Sequence, residues 1–324
     1  MVVSQKLSQI FSLIKSHRLP LEIICIFIVA LALRTINLER WPRWYCDEGV
    51  YGQTGVNYFH GIWGYESWGP NFGPFLFSLL FGGPISILLE KSFFALRLPN
   101  AVLGAISCVL LYFIGTKLYN RSVGIIASLS LSIMSVPFDR MAMIQNTATF
   151  FFVLTMSFYL KDREDEKKYW NYLMGISAGM AFLSHFMGMV ALIFIVFQSL
   201  VDHRGSQILK SIFTFFMLAL LYPLLGAFLD WNGFIFDIFT YSTIGIRGLD
   251  LYRVVLMPIL GDVTLIWAPY GSIYPNIWTI MGFVSIIYVL GRRTSTDSFV
   301  CISLVSVLFA YVFAGSIHWW HLTI

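Results

Sequence analysis

Residues 171–201 read NYLMGISAGMAFLSHFMGMVALIFIVFQSLV, an apolar stretch of 31 residues interrupted only by Ser184, His185 and Gly188. A helix needs about 20 predominantly apolar residues to cross the hydrocarbon of a bilayer, with roughly 17 as the practical minimum. Whether this stretch crosses once or twice sets the sidedness of everything after it. The basic residues answer the question, because short cytoplasmic loops collect Lys and Arg. Five clusters stand out: Lys6/Lys15/Arg18, Lys117/Arg121, Lys161/Arg163/Lys167/Lys168, Arg204/Lys210 and Arg292/Arg293. They share one side only if 171–201 crosses twice and a second ambiguous stretch, 72–89, does not cross. A single crossing would carry Arg292 and Arg293 outside, and a crossing by 72–89 would do the same to Lys117 and Arg121. The stretch therefore reads as a hairpin of two short helices with His185 at its tip.

Composition supports a membrane setting. Of 324 residues, 58% are hydrophobic and 12% charged, against about 45–50% and about 25% in an ordinary soluble domain. So few charges cannot clothe a water-facing surface of this size, which excludes a soluble globular protein. Four Cys are too sparse for a secreted disulfide scaffold. No dense Lys/Arg stripe exists to track phosphates, so nucleic acid is not an expected partner and the net charge of +4 points to anionic headgroups. Clear spans fall at 21–38, 94–116, 122–138, 144–160, 211–229, 274–290 and 298–314. With the hairpin they make nine, in a single all-α polytopic domain over 1–324 whose N-terminus is cytoplasmic.

This topology leaves two long external segments, 39–93 and 230–273. Within the first, 72–89 is broken by Pro74, Gly82, Gly83 and Pro84 and reads as an interfacial helix, in keeping with Trp63, Trp68 and Phe72 nearby. Most of the 17 acidic residues lie outside, so any chemistry belongs on the external face. Leu7, Ile10, Phe11 and Ile14 recur at helical spacing between Lys6 and Arg18, the pattern of an amphipathic helix on the inner leaflet. Ala30-Leu31-Ala32 has the form of a signal-peptidase site, but the apolar pattern runs on through Ile36 and Leu38, so the first span stays uncleaved. The sequon at Asn120-Arg121-Ser122 is cytoplasmic on this reading and idle. Gly175 and Gly179 form a small-xxx-small pair suited to helix packing.

The first external loop carries Trp41-Pro-Arg-Trp-Tyr-Cys-Asp47-Glu48-Gly-Val-Tyr51. A carboxylate at a membrane surface among aromatic walls is partly desolvated, which raises its basicity and suits general-base work. The competing reading is a loop acid capping the helix that follows.

Arg34 closing the first span, a Pro/Trp-rich approach and then Tyr45-x-Asp47-Glu48-Gly49-x-Tyr51 resemble the first-loop signature of GT-C-type glycosyltransferases that use lipid-linked sugars. More narrowly, the chain is similar to the superfamily of protein O-mannosyltransferases and bacterial aminoarabinose transferases. Gly73-Pro74-Phe75-Leu76 stands where that family starts an interfacial helix. Phe94-Ala95-Leu96-Arg97-Leu98-Pro99-Asn100-Ala101 resembles its "ALRLPSA" motif, and Leu118–Gly124 its short cytoplasmic turn. Arg140 with Met141–Asn146 resembles its second external motif, and Gly179–Phe186 its "GLAFLTK" hairpin. Two departures stand out: Gln145 where the family commonly has an acid, and His185 where the hairpin often has a basic residue. Family members usually continue beyond the point reached at His318-Trp-Trp-His321, so the chain is expected to extend past Ile324.

The resemblance implies transfer of a sugar from a polyprenyl phosphate to a protein, lipid or glycan acceptor at the outer face of the cell membrane. It implies Asp47 as general base and Glu48 as its positioning partner or a sugar ligand. Arg97, Arg140 and His185 are then candidates for the donor phosphate, and Tyr51, Gln145, Asn146 and His318 for the substrate. It leaves a divalent cation (Mg or Mn) open as a cofactor, with Asp47 and Glu48 the clear oxygen ligands. Two other classes stay open beside it: an inactive scaffold subunit, which the Gln145 departure favours, and a transporter, which spans nearly free of charge disfavour.

Overall fold

The computed structural model describes residues 21–43, 46–62, 76–89, 92–165, 167, 169–229, 231–232, 234–235, 287–288, 291–292 and 294–318. Expectations for the N-terminal amphipathic helix, for Trp63, Trp68, Phe72 and the Gly73-Pro74 start, for most of 230–273 and of span 274–290, and for His321 lie outside the described residues.

The described residues form helices, turns and no strand. Helix α1 occupies 21–35. It is followed by α2 (Cys46–Phe59), a π-helical turn (Ser78–Gly82) running into α3 (Gly83–Leu88), and α4 (Phe93–Leu118). Then come α5 (Arg121–Met134), the short α6 (Val136–Asp139) and α7 (Ile144–Asp165). The rest are α8 (Tyr169–Ser184), α9 (Met189–Val201), α10 (Gly205–Ala219), α11 (Leu221–Leu229) and α12 (Ser295–His318). The expected span 122–138 is thus α5 plus α6, divided at Ser135 just before Pro137, where the pyrrolidine ring bars an uninterrupted helix.

The stretch 171–201 is two helices. The α8 helix stops at Ser184, and His185 is extended with φ −163° and ψ 141°. Its Nδ1 accepts the N–H of Met187, which caps a single 3₁₀ turn over Phe186–Gly188 before α9 begins. Gly188 sits so close to α8 that an added Cβ would lie 2.0 Å from the Ala181 carbonyl oxygen. The turn is therefore pressed backbone to backbone against the last turns of α8.

Among the described residues, two helices are long and apolar enough to cross a membrane, Phe93–Leu118 and Ile208–Leu229 (α10 with α11), while Arg121–Ile133, Phe186–Val201 and Thr296–Val307 are shorter apolar helices. Between helices in lipid the hydrophobic effect offers little drive, so association rests on close packing of small residues, van der Waals contact and polar bonds. All three are present. Gly115 of α4 faces Gly124 of α5, with a hypothetical Cβ 2.9 Å from the Gly124 Cα. Gly175 and Gly179 of α8 face Ser211, Thr214 and Leu218 of α10, as the small-xxx-small spacing predicts. Phe152, Tyr159, Phe194 and Phe299 interlock edge to face, with Phe194–Phe299 centroids 5.1 Å apart. Each such aromatic pair contributes about 0.5–1.5 kcal/mol beyond its buried area.

The polar bonds sort into two poles. At one, Glu22 pairs with Arg121 and accepts from Tyr112, Lys117 pairs with Glu164 at 2.8 Å, and Arg204 pairs with Asp162 at 2.8 Å. Tyr159 donates to Asp202, and Tyr119 donates to Asp297 at 3.0 Å. Burial first, and then Asp297, push the Tyr119 hydroxyl up to about 12, so it remains a donor. Of the sequence's basic clusters, Lys117, Arg121, Lys161, Arg163, Arg204 and Arg292 pair with acids at this pole. At the opposite pole lie Arg34, Glu48, Arg97, Asp139 and Arg140.

Candidate functional site

The second pole is built from the end of α1. Asn37 takes a left-handed conformation (φ 59°), a geometry Asn tolerates better than most residues, and its carbonyl accepts from the amides of Arg40 and Trp41. The chain so turned leads to α2, whose first turn holds Asp47 and Glu48, where acids complement the helix dipole. Asp47 is half-buried, whereas Glu48 is fully buried.

A buried carboxylate must be paired, and Glu48 is. Arg97, in the second turn of α4, gives it two parallel bonds, Nε to Oε1 at 2.8 Å and Nη2 to Oε2 at 2.6 Å. Arg97 is itself 1% exposed. Its Nη1 donates to the carbonyls of Leu38 (2.9 Å) and Pro42 (3.0 Å), and Nη2 also to that of Arg43 (3.4 Å). All five N–H groups of the guanidinium therefore have acceptors within the protein. Arg97, a candidate for the donor phosphate, fastens the 38–43 segment and the start of α2 to α4. A phosphate could reach its N–H groups only by displacing one of these bonds. Glu48 Oε1 also accepts the backbone N–H of Ala142 at 2.8 Å. Glu48 thereby joins the start of α2 to α4 and to the 141–143 turn.

The 141–143 turn that supplies the Ala142 amide is held by Asn100. Its Nδ2 donates to the carbonyls of Met141 (2.9 Å) and Met143 (2.8 Å), and its Oδ1 accepts from Thr147. Arg140 closes the end of α1, donating to the carbonyls of Leu33, Ile36 and Trp41, with its guanidinium 4.7 Å from the Trp41 ring centroid. These bonds use three of its five N–H groups. Burial, and then the charge of Arg97, push Arg140 down from its ordinary value. Arg34 binds Asp139 through Nε (2.9 Å) and Nη2 (2.6 Å), with Ser135 on the same Nη2. Burial pushes the Asp139 carboxyl up, against the pull of Arg34 and the Ser135 hydroxyl. Gly104 of α4 makes room for this pair, since a Cβ there would lie 2.6 Å from Asp139 Oδ2.

The remaining candidates are scattered around this frame. Tyr51 packs with Phe77, Phe81, Leu96, Ala142 and Ile144. Asn146 Nδ2 donates to Met141 O at 3.2 Å. Gln145 has its Oε1 buried without a hydrogen-bond partner among the described residues. His185 is 1% exposed and serves the α8–α9 turn through Nδ1. His318 ends α12, and its side chain lies outside the described residues.

Two observations on the described residues concern the divalent cation that the resemblance left open. Both oxygens of Glu48 are committed to Arg97, and no group of three His, Cys, Asp or Glu side chains converges among the described residues.

Sequence reasoning missed how α2 is seated. Gly55 of α2 meets Gly83 backbone to backbone, a Cβ on Gly55 falling 2.3 Å from both Gly83 N and Ser78 O. Gly82 likewise meets the Tyr51 carbonyl. The signal was available as the three-residue spacing Gly49, Gly52, Gly55 opposite the Gly82-Gly83 pair. In the structure that pair lies within continuous π- and α-helical turns, where the sequence reads only as a break.

Three comparisons bear on these findings. Residues 73–231 match the family of dolichyl-phosphate-mannose-protein mannosyltransferases. Among solved structures, the Archaeoglobus fulgidus oligosaccharyltransferase AglB, determined with an inhibitory peptide and a dolichol-phosphate, superposes with a TM-score of 0.57 at 14% identity. That match covers 94% of this chain and 49% of AglB. A second A. fulgidus oligosaccharyltransferase structure, with Zn and sulfate, gives a TM-score of 0.54 at 14% identity, covering 91% of this chain and 48% of that one. At this identity the likeness is one of fold, and the chain spans about half the length of the proteins it resembles. No curated protein matches it by sequence. The resemblance to GT-C-type enzymes drawn from the motifs is met both in sequence family and in fold.

Proposed function

From the premise that residues 73–231 match the dolichyl-phosphate-mannose-protein mannosyltransferases and that the chain folds like an oligosaccharyltransferase, we propose that it is a GT-C-type membrane glycosyltransferase. On this reading it takes a sugar from a polyprenyl-phosphate donor and transfers it to an acceptor hydroxyl at the outer membrane face. The observation that carries the reading is the unequal treatment of two adjacent acids. Glu48 is buried and saturated by Arg97 and the Ala142 amide, while Asp47 beside it is half-buried. An enzyme that needs one base, held in place, would divide the labour this way.

The chemistry asks for little more. The acceptor hydroxyl oxygen attacks the anomeric carbon, the carbon–oxygen bond to the phosphate breaks with its electron pair leaving on that oxygen, and the hydroxyl proton passes to Asp47. Because the leaving group is a phosphate that already carries charge, no second carboxylate is needed to protonate it, unlike glycoside hydrolysis. A single displacement inverts the anomeric centre. Arg97 and Arg140 place two buried positive charges at the same pole. Arg140, with three of its N–H groups on carbonyls, is the better placed of the two to meet the leaving phosphate directly. His185 is kept as a further candidate for the donor phosphate, and Tyr51, Gln145, Asn146 and His318 as substrate contacts.

The orientation completes the proposal. Nine spans with a cytoplasmic N-terminus put the Lys117–Arg292 pole inside, following the positive-inside rule, and the Asp47 pole outside. A lipid-linked donor and a peptide acceptor suit the fold relative determined with a dolichol-phosphate and an inhibitory peptide. The test is transfer by membrane vesicles carrying the full chain. Radiolabelled sugar should move from a polyprenyl-phosphate sugar and not from the matching nucleotide sugar. Transfer from the nucleotide sugar alone would overturn the donor assignment, and no transfer from any donor would favour the scaffold reading that Gln145 supports.

A further inference from the structure

The geometry points to Asn100 as a positioning residue for the Asp47–Glu48 pair, acting through the 141–143 turn. The inference deepens the transferase reading above and rests on it for its link to turnover. Asn100 is fully buried and makes three hydrogen bonds. Its two amide hydrogens go to the carbonyls of Met141 (2.9 Å) and Met143 (2.8 Å), one on each side of Ala142. Its carbonyl oxygen accepts from Thr147 Oγ1 at 3.1 Å, tying the same amide to the first turn of α7. Asn146 adds a second donor to the Met141 carbonyl at 3.2 Å.

What lies between the two clamped carbonyls is the point. The Ala142 N–H donates to Glu48 Oε1 at 2.8 Å, the oxygen that Arg97 Nε also binds at 2.8 Å. Arg97 and Asn100 stand three residues apart on α4 and so share a face of that helix. One helix therefore fixes Glu48 twice, directly through the guanidinium and indirectly through the turn. The side-chain chemistry is specific: two donors and one acceptor at this reach are what a primary amide supplies. Asp would set a carboxylate against two carbonyl oxygens, and Ser would keep at most one donor. Losing the clamp frees the turn, withdraws the Ala142 amide from Glu48 and lets the first turn of α2 drift, carrying Asp47 with it. A displacement near 1 Å at a reacting group costs on the order of 100-fold in rate.

The test uses the full chain in membranes with two independent readouts. Hydrogen–deuterium exchange of a peptide covering 141–147 reads the clamp without turnover. In N100D, and more mildly in N100S, exchange there should quicken at least about 10-fold, while peptides from α9 and α10 stay as in the wild type. Unchanged exchange in both variants overturns the inference whether or not the chain transfers sugar, so its failure is separable from failure of the transferase reading. For turnover, kcat per folded molecule should fall about 100-fold in N100D and less in N100S, with the donor KM within about 2-fold. A loss that merely tracks the folded fraction, with kcat per folded molecule intact, overturns it as well. If N100D fails to fold, N100S alone decides through the same two readouts.

Discussion

Replacing Glu48 by Gln keeps the shape of the side chain and removes its charge. Wild-type Glu48 receives Arg97 Nε and Nη2 and the Ala142 amide, all at 2.6–2.8 Å. In the variant one oxygen becomes an NH₂ that must point a donor at a donor, either the guanidinium or the backbone amide. Arg97, 1% exposed, then keeps only uncharged acceptors: the remaining amide oxygen and the carbonyls of Leu38, Pro42 and Arg43. Breaking a buried ion pair by removing one partner costs about 3–5 kcal/mol. The three carbonyls already solvate the guanidinium in part, so the low end, about 3 kcal/mol, applies. With an unfolding entropy of roughly 2 cal/mol/K per residue, a chain of 324 residues should lose about 4 °C in Tm. Thermal unfolding in detergent, followed by tryptophan fluorescence, reads this directly. A paired control separates charge from shape: E48M with R97M removes both partners and should recover most of the loss, because apolar replacement of a whole buried pair is often neutral or better. If E48Q unfolds within about 1 °C of the wild type, the pair does not hold α2, and the division of labour between the two acids loses its basis.

Three further outcomes follow from the packing and the charges. Gly55→Ala places a methyl 2.3 Å from backbone atoms of Gly83 and Ser78. Since backbone cannot step aside, α2 should lift from α3, costing about 2–3 kcal/mol and most activity, as read by Tm and by transfer. Gly104→Ala drives a methyl to 2.6 Å from Asp139 Oδ2 and 2.7 Å from Arg34 Nε. It should cost about 3 kcal/mol by parting a buried pair, and Gly104→Ala combined with Asp139→Ala should be milder than the sum of the two, a coupling that a double-mutant cycle measures. At the other pole, the Asp297 carboxyl is held below its ordinary value, first by the Thr294 hydroxyl and further by Tyr119 and Arg292. A depressed folded value means stability that is present above the unfolded value near 4 and is lost as pH falls through the folded one. Thermal stability should therefore drop more steeply below about pH 4 in the wild type than in Asp297→Asn.

The break between two helices within 171–201 was legible in the sequence because its signal is local. Ser184, His185 and Gly188 interrupt an apolar run, and the structure breaks the helix at those residues. The gathering of Lys117, Arg121, Arg163, Arg204 and Arg292 at one pole was legible as well, since an alternation of crossings leaves few arrangements. The part Arg97 plays was not. An arginine at the end of a span can reach outward to a phosphate or fold back onto carbonyls, and which it does depends on a carboxylate 49 residues earlier. His185 stood under the same ambiguity, and its Nδ1 bond to Met187 is visible only once the turn exists. The Gly82-Gly83-Pro84 sequence read as an interruption of helix, whereas close approach to Gly55 turns the same residues into a crossing point. Sequence pattern located the acids of the site, while what holds them was written in contacts between distant segments.

The central claim is that Asp47 takes the proton from the acceptor. Asp47→Asn, compared with wild type in vesicles carrying the full chain, tests it most directly, with transfer from a polyprenyl-phosphate sugar and Tm measured on the same preparation. The account predicts that transfer falls by at least about 100-fold, the range that general-base groups supply, while Tm stays within about 2 °C of wild type. Transfer retained at more than about a tenth of the wild-type rate would contradict it.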